Sequence, residues 1–550
     1  MKSVALLALV VPFLSPQEQE EVDLSWAPSE PEVYEFEVFE SSKRTPASAV
    51  SVFSRDIKDG MNPMETPDIA LSLGLSLPQK KVKLKQSWSY SGTFFKSLPP
   101  LSETKVIGTF TYSRATQFQK KKCAQIDGAF QLWFGASKKP EAQIETSQWY
   151  SLEDSKIIGI RYRYTGKAET WGEFGEVLQN SKKLSFDLEF ARSHSLKGAA
   201  PLERVDAAVK LGREYLLSRQ ARNGGFGETG LSALVLAALL HSGARRTDSE
   251  IQKAFLWLHS QKIVETYDAA CALIAIEAAY LPLTDYEDIL EFDEKKARAQ
   301  ISASISKADL EFARALAKLL IDNQAKSGAW TYSGTGASGD QSNTQFAALG
   351  LKTAARLGIA VPRQTWKRLA EYLMSIQRPS EGEIDLHLTD LWDKNREEKE
   401  IAPGGWTYNP PDAGNKLGAV TSTMTCGCTA ALAMCLGELA EDDAALAKSI
   451  RACLDRGLAW IQAHYSVRKV PIGAQHRYLY YLYALERASI LNGVKSFDQR
   501  DWYTDGAFSL FRLQNKDGSW DTGLGSLIDT AFALLFLKRA VVPVVTKSGE

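Results

Sequence analysis

Between residues 202 and 541 the chain writes one pattern six times. An amphipathic helix ends in glutamine, a Gly- or aromatic-rich connection follows, and a small-residue helix that is apolar nearly all round comes next. The glutamines are Gln220, Gln261, Gln324, Gln377, Gln462 and Gln514. The apolar runs behind them are 230–240, 268–281, 343–358, 425–439, 476–490 and 529–540. A helix charged on one side faces solvent, whereas one apolar all round has to be covered on most sides. Six such pairs close into a ring with the covered helices inside, an (α/α)6 toroid. GAWTYSG at 328–334 and GGWTYNP at 404–410 are then the connecting loops of repeats three and four.

Upstream the period is two. Residues 31–40, 81–90, 105–113, 156–166 and 184–190 alternate apolar and polar positions, the pattern of half-buried antiparallel strands. The expected fold class is therefore multidomain, β plus all-α. A sandwich or strongly curved sheet spans 23–195, and 191–201 serves as the linker. A length of 550 residues exceeds one ordinary core, and 44% hydrophobic with 24% charged residues excludes disordered and fibrous classes. A net charge of −1 gives no electrostatic footprint for nucleic acid.

The first residues read as a secretory signal peptide over 1–17: Lys2 supplies the positive start, and Val4 to Leu14 is an apolar stretch too short to span a bilayer. This predicts a secreted or periplasmic protein of bacterial type, without a stable membrane span. Six cysteines are sparse for such a chain, and most lie in apolar helical runs, so buried thiols are expected ahead of disulfides.

QAKSGAW at 324–330 and QNKDGSW at 514–520 resemble the repeat of squalene–hopene and oxidosqualene cyclases, and QARNGGF at 220–226 is similar to its form in protein prenyltransferase β subunits. The resemblance covers about residues 202–541 and implies the toroid. It also implies that each Gln bonds the start of the next helix, while Trp330, Trp406 and Trp520 pack across repeats. The activity of those families does not follow. A cyclase needs an acidic D-x-D-D motif to protonate its alkene, and none is present: EDDAAL at 441–446 starts an outer helix and EFDEKK at 291–296 lies in an insertion. A prenyltransferase needs D-x-C and a His for zinc. Cys426, Cys428, His476 and Asp529 carry ligand chemistry but lack that spacing, so no metal and no cofactor is expected. The complement-like thioester motif is also missing, and GGWTYNPPDAG echoes toroidal pectate lyases only superficially.

Aligning the six apolar helices puts Thr229, Asp268, Asn343, Thr425, His476 and Asp529 at equivalent starts. Asp, Asn and Thr there are ordinary helix caps. His476 is a poor cap and titrates near neutral pH. The candidate catalytic residues are accordingly His476, Asp268 and Asp529. Candidate ligand contacts are Asn343, Asp340, Tyr267 and the aromatics Trp330, Trp406 and Trp520. The loop at 332–342 can move over this rim, and the insertion at 378–403 forms a lid or an edge excursion. Two functions remain: a binding or scaffold protein that takes an apolar, peptidic or glycan ligand at the toroid mouth, or an enzyme, cyclase-like with a relocated acid or a lyase or hydrolase with a His–Asp pair.

Overall fold

Strict alternation builds the first unit. The computed structural model describes residues 21–23, 32–40, 48–53, 81–95, 103–134, 137–153, 156–166, 183–195, 202–281, 289–334, 339–392, 394–396, 398–409, 419–498 and 500–541. The signal-peptide expectation over 1–17 lies outside these residues, as do 335–338 of the mobile-loop expectation. The chain divides into two compact units, Met1–Gly198 and Ala199–Glu550.

In the first unit eight strands form one antiparallel sheet: β2 (Glu32–Glu40), β3 (Ser48–Phe53), β5 (Ser87–Phe95), β6 (Glu103–Phe118), β7 (Lys121–Phe134), β8 (Ala142–Ser151), β9 (Lys156–Gly166) and β10 (Lys183–Ser195). Their order is β3-β2-β10-β9-β8-β7-β6-β5, so most neighbours are joined by hairpins. A short pair, β1 (Glu21–Asp23) with β4 (Lys81–Lys83), stands apart from it. On β8 the side chains of Ala142, Ile144, Thr146, Gln148 and Tyr150 are buried while Gln143 and Glu145 are exposed, as a period of two demands. Across β5, β6 and β7, Trp88 stacks on its register partner Phe110, which meets Phe130 edge-on at 4.8 Å. Residues 191–195, expected in the linker, continue β10 and pair with β2, because His194 and Ser195 still find ladder partners in Val33 and Glu32.

The second unit opens with α1 (Leu202–Ser218) and α2 (Thr229–His241), then α3 (Ser249–His259) and α4 (Thr266–Tyr280). An added helix, α5 (Glu294–Ser304), precedes α6 (Lys307–Asp322) and α7 (Gln341–Arg356). The pairs α8 (Arg363–Ile376) with α9 (Ser422–Leu439), α10 (Ala444–Ala463) with α11 (Tyr478–Leu491), and α12 (Trp502–Leu513) with α13 (Ser526–Lys538) follow. The buried helices pack in a closed cycle: α2 on α4, α4 on α7, α7 on α9, α9 on α11, α11 on α13, and α13 back on α2. Every residue of α11 is buried, whereas α6 and α8 bury one stripe, so burial follows the two periodicities of the sequence.

Gln220 and Gln324 bond the start of the next outer helix, as the resemblance implies, but as donors. The Gln amide donates to carbonyls; it does not accept from the N–H groups of the following helix. Gln324 Nε2 bonds Gly328 O (3.1 Å) in its own loop and Thr365 O (3.0 Å) in the next outer helix. Gln514 Nε2 does the same with Gly518 O (3.1 Å) and Ala208 O (2.9 Å), which ties the last repeat to the first. Gln220 and Gln377 follow suit. The glycine is obligatory because the loop runs against the neighbouring helix. Gly328 and Gly518 have φ of 102° and 89°, and a Cβ there would stand 2.2 Å and 2.4 Å from carbonyl oxygens of Arg368 and Leu211.

Two glutamines depart from the rule: Gln261 turns back on its own helix, donating to Trp257 O, and Gln462 serves the insertion, accepting from His387 N and donating to Asp385 O. In the insertion β11 (Ile384–Leu386) pairs with β13 (Lys399–Ile401), and β12 (Leu388–Asp390) pairs with β14 (Val494–Phe497) beyond it. Lys399 pairs with Asp455 of α10 at 2.9 Å. Of its two expected forms this is the edge excursion: it packs on an outer helix.

Candidate functional site

The start of each buried helix leaves backbone N–H groups without intrahelical partners. Loops of the following repeat supply acceptors for three of them. Thr266 N donates to Tyr332 O (2.8 Å), Gln341 N to Tyr408 O (3.1 Å) and Ser422 N to Ile472 O (2.9 Å). The tyrosines of the two W-T-Y stretches thus finish their neighbours' helices through their carbonyls. The tryptophans look inward. Trp330, Trp406 and Trp520 are fully buried, and each indole N–H bonds a carbonyl of its own outer helix: Leu320 (2.7 Å), Leu373 (2.9 Å) and Leu510 (2.8 Å). Their backbone N–H groups donate to Thr344, Thr425 and Thr530 Oγ1 at 3.0–3.2 Å. No indole edge is left for a ligand.

The capping register lies upstream of the aligned starts. Asp340 caps α7, accepting from Asn343 N at 2.7 Å, and Thr421 caps α9. Asn343 and Thr425 are inside their helices, because those helices begin two or three residues earlier than the apolar run. Asn343 Nδ2 also donates to Asp340 Oδ2 (2.9 Å), so these two expected ligand contacts form one buried pair.

The proposed acid/base set is not joined. Asp529 is fully buried and accepts from Thr522 N (2.6 Å) and Thr522 Oγ1 (3.1 Å). Asp268 lies against Gly230, where a Cβ would come within 2.6 Å of its Oδ1. His476 sits in a single 3-10 turn (Gln475–Arg477), exposed, with its backbone against Gly523. Among the described residues no hydrogen bond links His476 to Asp268 or Asp529. Burial raises the carboxyls of Asp268, Asp340 and Asp529 above the ordinary range. Cys426 and Cys428 are buried, and burial lifts both thiols. Two residues apart on one helix, they point to nearly opposite sides. The glycine between them has a packing role: a Cβ at Gly427 would stand 2.1 Å from Gln345 Oε1.

What the helix starts do bring together is a polar file running inward. Ser342, half-buried at the rim, shares a hydrogen bond of 2.9 Å with Tyr480 OH. Gln345 Nε2 donates to the same hydroxyl (2.5 Å), and Arg487 Nη2 donates to Gln345 Oε1 (3.1 Å). Aromatic rings line the file. Tyr267 meets Phe346 edge-on at 4.7 Å, Phe346 and Tyr480 stack at 6.1 Å, and Phe532 stacks on Tyr480 at 5.5 Å. Arg487 holds its guanidinium 3.8 Å from the Tyr483 ring centre and 5.3 Å from that of Phe346. Its exposure is 0%, and its Nε and Nη1 lack a well-formed hydrogen bond. Glu486, beside it, is also fully buried, its carboxylate oxygens lack partners, and burial lifts its carboxyl well above the usual range. Arg487 and Arg539 pull the Glu486 carboxyl the other way, through space, and the ring faces of Tyr483 and Phe346 give the Arg487 guanidinium cation–π contacts worth about 2 kcal/mol.

Ion pairs tie the opposite ends of these helices. Arg356 pairs with Glu277, and buried Lys352 bonds Glu294 (3.1 Å) and Glu438 (2.6 Å). Sequence reasoning missed Gln345, Tyr480 and Arg487. The available signal was the pair Glu486–Arg487 inside a helix otherwise uncharged from Tyr478 to Leu491.

No protein-family model matches the chain, and no curated protein matches it. Among solved structures it is similar to the type II terpene cyclase MstE from Scytonema in its apo form, at 13% identity and a TM-score of 0.35, over 62% of this chain and 99% of that one. It is also similar to a family 76 glycoside hydrolase from a bovine Bacteroides thetaiotaomicron strain, at 10% identity and a TM-score of 0.36, over 76% and 96%. At these values the likeness carries no argument about activity. No described helix is long and apolar enough to cross a membrane.

Proposed function

We propose that residues 202–541 are an (α/α)6 toroid of the prenyltransferase/squalene-cyclase repeat type, following a β domain over 23–195, and that the toroid binds a small ligand through the mouth at the starts of its inner helices. The apolar start of the chain acts as a signal peptide for a secreted or periplasmic protein. One observation carries the binding reading: the file Ser342–Tyr480–Gln345 joins a half-open rim to the ring interior and links two inner helices through side chains that offer both donors and acceptors. Tyr267, edge-on to Phe346, and Asp268 are half-buried at the start of α4.

A second reading, an enzyme of the toroid superfamily, is favoured by the raised carboxyls of Asp268, Asp340 and Asp529, since raising a carboxyl moves it towards the range in which general acids work. The file and the rim acids call for different tests. Binding is tested by titrating the protein with the neutral fluorophore Nile red, with Ser342→Trp as the block. Saturable uptake in the wild type, weakened about tenfold or more in the variant, supports the mouth. Equal uptake by both overturns it.

A further inference from the structure

We infer that the ligand is an amphipathic carboxylate whose acid group is received by Arg487; this rests on the mouth reading above. A guanidinium keeps its charge in proteins and pairs with carboxylate oxygens through two parallel N–H bonds. No carboxylate hydrogen-bonds Arg487: its one well-formed side-chain acceptor is the neutral amide of Gln345, the Tyr483 hydroxyl is a looser one, and Glu486 acts on it only through space. Its Nε and Nη1 lack a well-formed hydrogen bond, and the residue is completely buried. Natural cores hydrogen-bond such groups, so an unfilled cation at the end of a polar file marks a position built for an acceptor.

The depth suits a small molecule. Gln345 stands four residues into α7, about 6 Å below the rim, and the Arg487 side chain leans towards the helix start to meet it. A carboxylate taking the Nε and Nη2 side of the guanidinium displaces the Gln345 oxygen and releases that amide to the ligand or to Tyr480. The body of the ligand then lies among Tyr267, Phe346, Tyr480 and Phe532, whose rings set the apolar part of its chemistry. Of these rings Phe346 is a poor host for a carbocation, because the Arg487 guanidinium already lies over it.

The experiment is calorimetric titration of the full chain with octanoate, octanol and inorganic phosphate, repeated on Arg487→Gln, Arg487→Lys and Ser342→Trp, each checked for folding by thermal melting. The expected result is octanoate binding about tenfold or more tighter than octanol. Arg487→Gln removes that preference, Arg487→Lys keeps part of it, and phosphate binds more weakly than octanoate. Equal affinity for octanoate and octanol in the wild type overturns the inference even if no Arg487 variant folds. If both are also lost in Ser342→Trp, the mouth reading survives that outcome. Phosphate binding as tightly as octanoate overturns the amphipathic class, and octanoate binding unaffected by Arg487→Gln overturns the assignment of the residue.

Discussion

At the residue scale, the repeat is a set of hydrogen bonds that each fix one side chain. Thr344 Oγ1 is the acceptor for Trp330 N, deep in the core. Replacing it with Val keeps the shape and leaves that N–H unpaired. Chemical denaturation of Thr344→Val is expected to show a loss of about 1–3 kcal/mol. Gly427 is set by Gln345 in the same way. Gly427→Ala puts a methyl into the amide and is expected to cost about 1–3 kcal/mol, most of it recovered in the double variant with Gln345→Ala. An additive double variant would show that the two side chains do not meet.

Residue roles were the part of the sequence hardest to read. The tryptophans were legible as packing residues, since a bulky ring after a glycine in a repeated loop has an outer helix to cover. The tyrosines two residues later were not, because their contribution is a backbone carbonyl to another repeat. Arg487 was masked by its neighbours: a single charged pair in an apolar run leaves the period unchanged, and only the packing shows which ring faces it meets.

At the element scale, the period gave the helices to within a few residues, because a helix covered on all sides has no polar stripe to blur its ends. The starts were the weak point. Polar starts such as QSN in α7 and STM in α9 carry no apolar signal, so the caps Asp340 and Thr421 lay upstream of the aligned register. Strand β10 ran further than its apolar run for the same kind of reason, since a ladder continues through polar residues.

Another cap carries a pH dependence. Asp501 accepts from Tyr503 N and Thr504 N at the start of α12, yet burial and then nearby Asp505 outweigh those bonds and push it up to about 6. A carboxyl raised in the fold above its ordinary value of about 4 binds more protons folded than unfolded between those pH values. Stability therefore falls as pH rises from about 4 to about 6. Thermal melts over that window are expected to show a shallower slope in Asp501→Asn, and an unchanged slope would assign the effect to other groups.

At the scale of the helical unit, closure depends on Gln514. Its amide reaches Ala208 in α1, and α13 packs on α2, so the last repeat completes the first. Gln514→Leu removes both carbonyl bonds and is expected to lower stability by about 1–3 kcal/mol. Amide exchange is expected to rise first in α1 and α13. Exchange that rises evenly through all repeats would mean that the ring opens as one body. The cyclic packing of the buried helices was legible because a helix apolar nearly all round has to be covered on most sides. The polar file was not, because Ser342, Gln345, Tyr480 and Arg487 are far apart in the chain and on two different helices.

The central claim is that the mouth admits a ligand along that file. Its most direct test is the Nile red titration of wild type and Ser342→Trp at matched thermal stability. One saturable site in the wild type, weakened about tenfold or more in the variant, is the predicted result. A wild-type protein that takes up no probe, or a blocked variant that binds as well as the wild type, contradicts it.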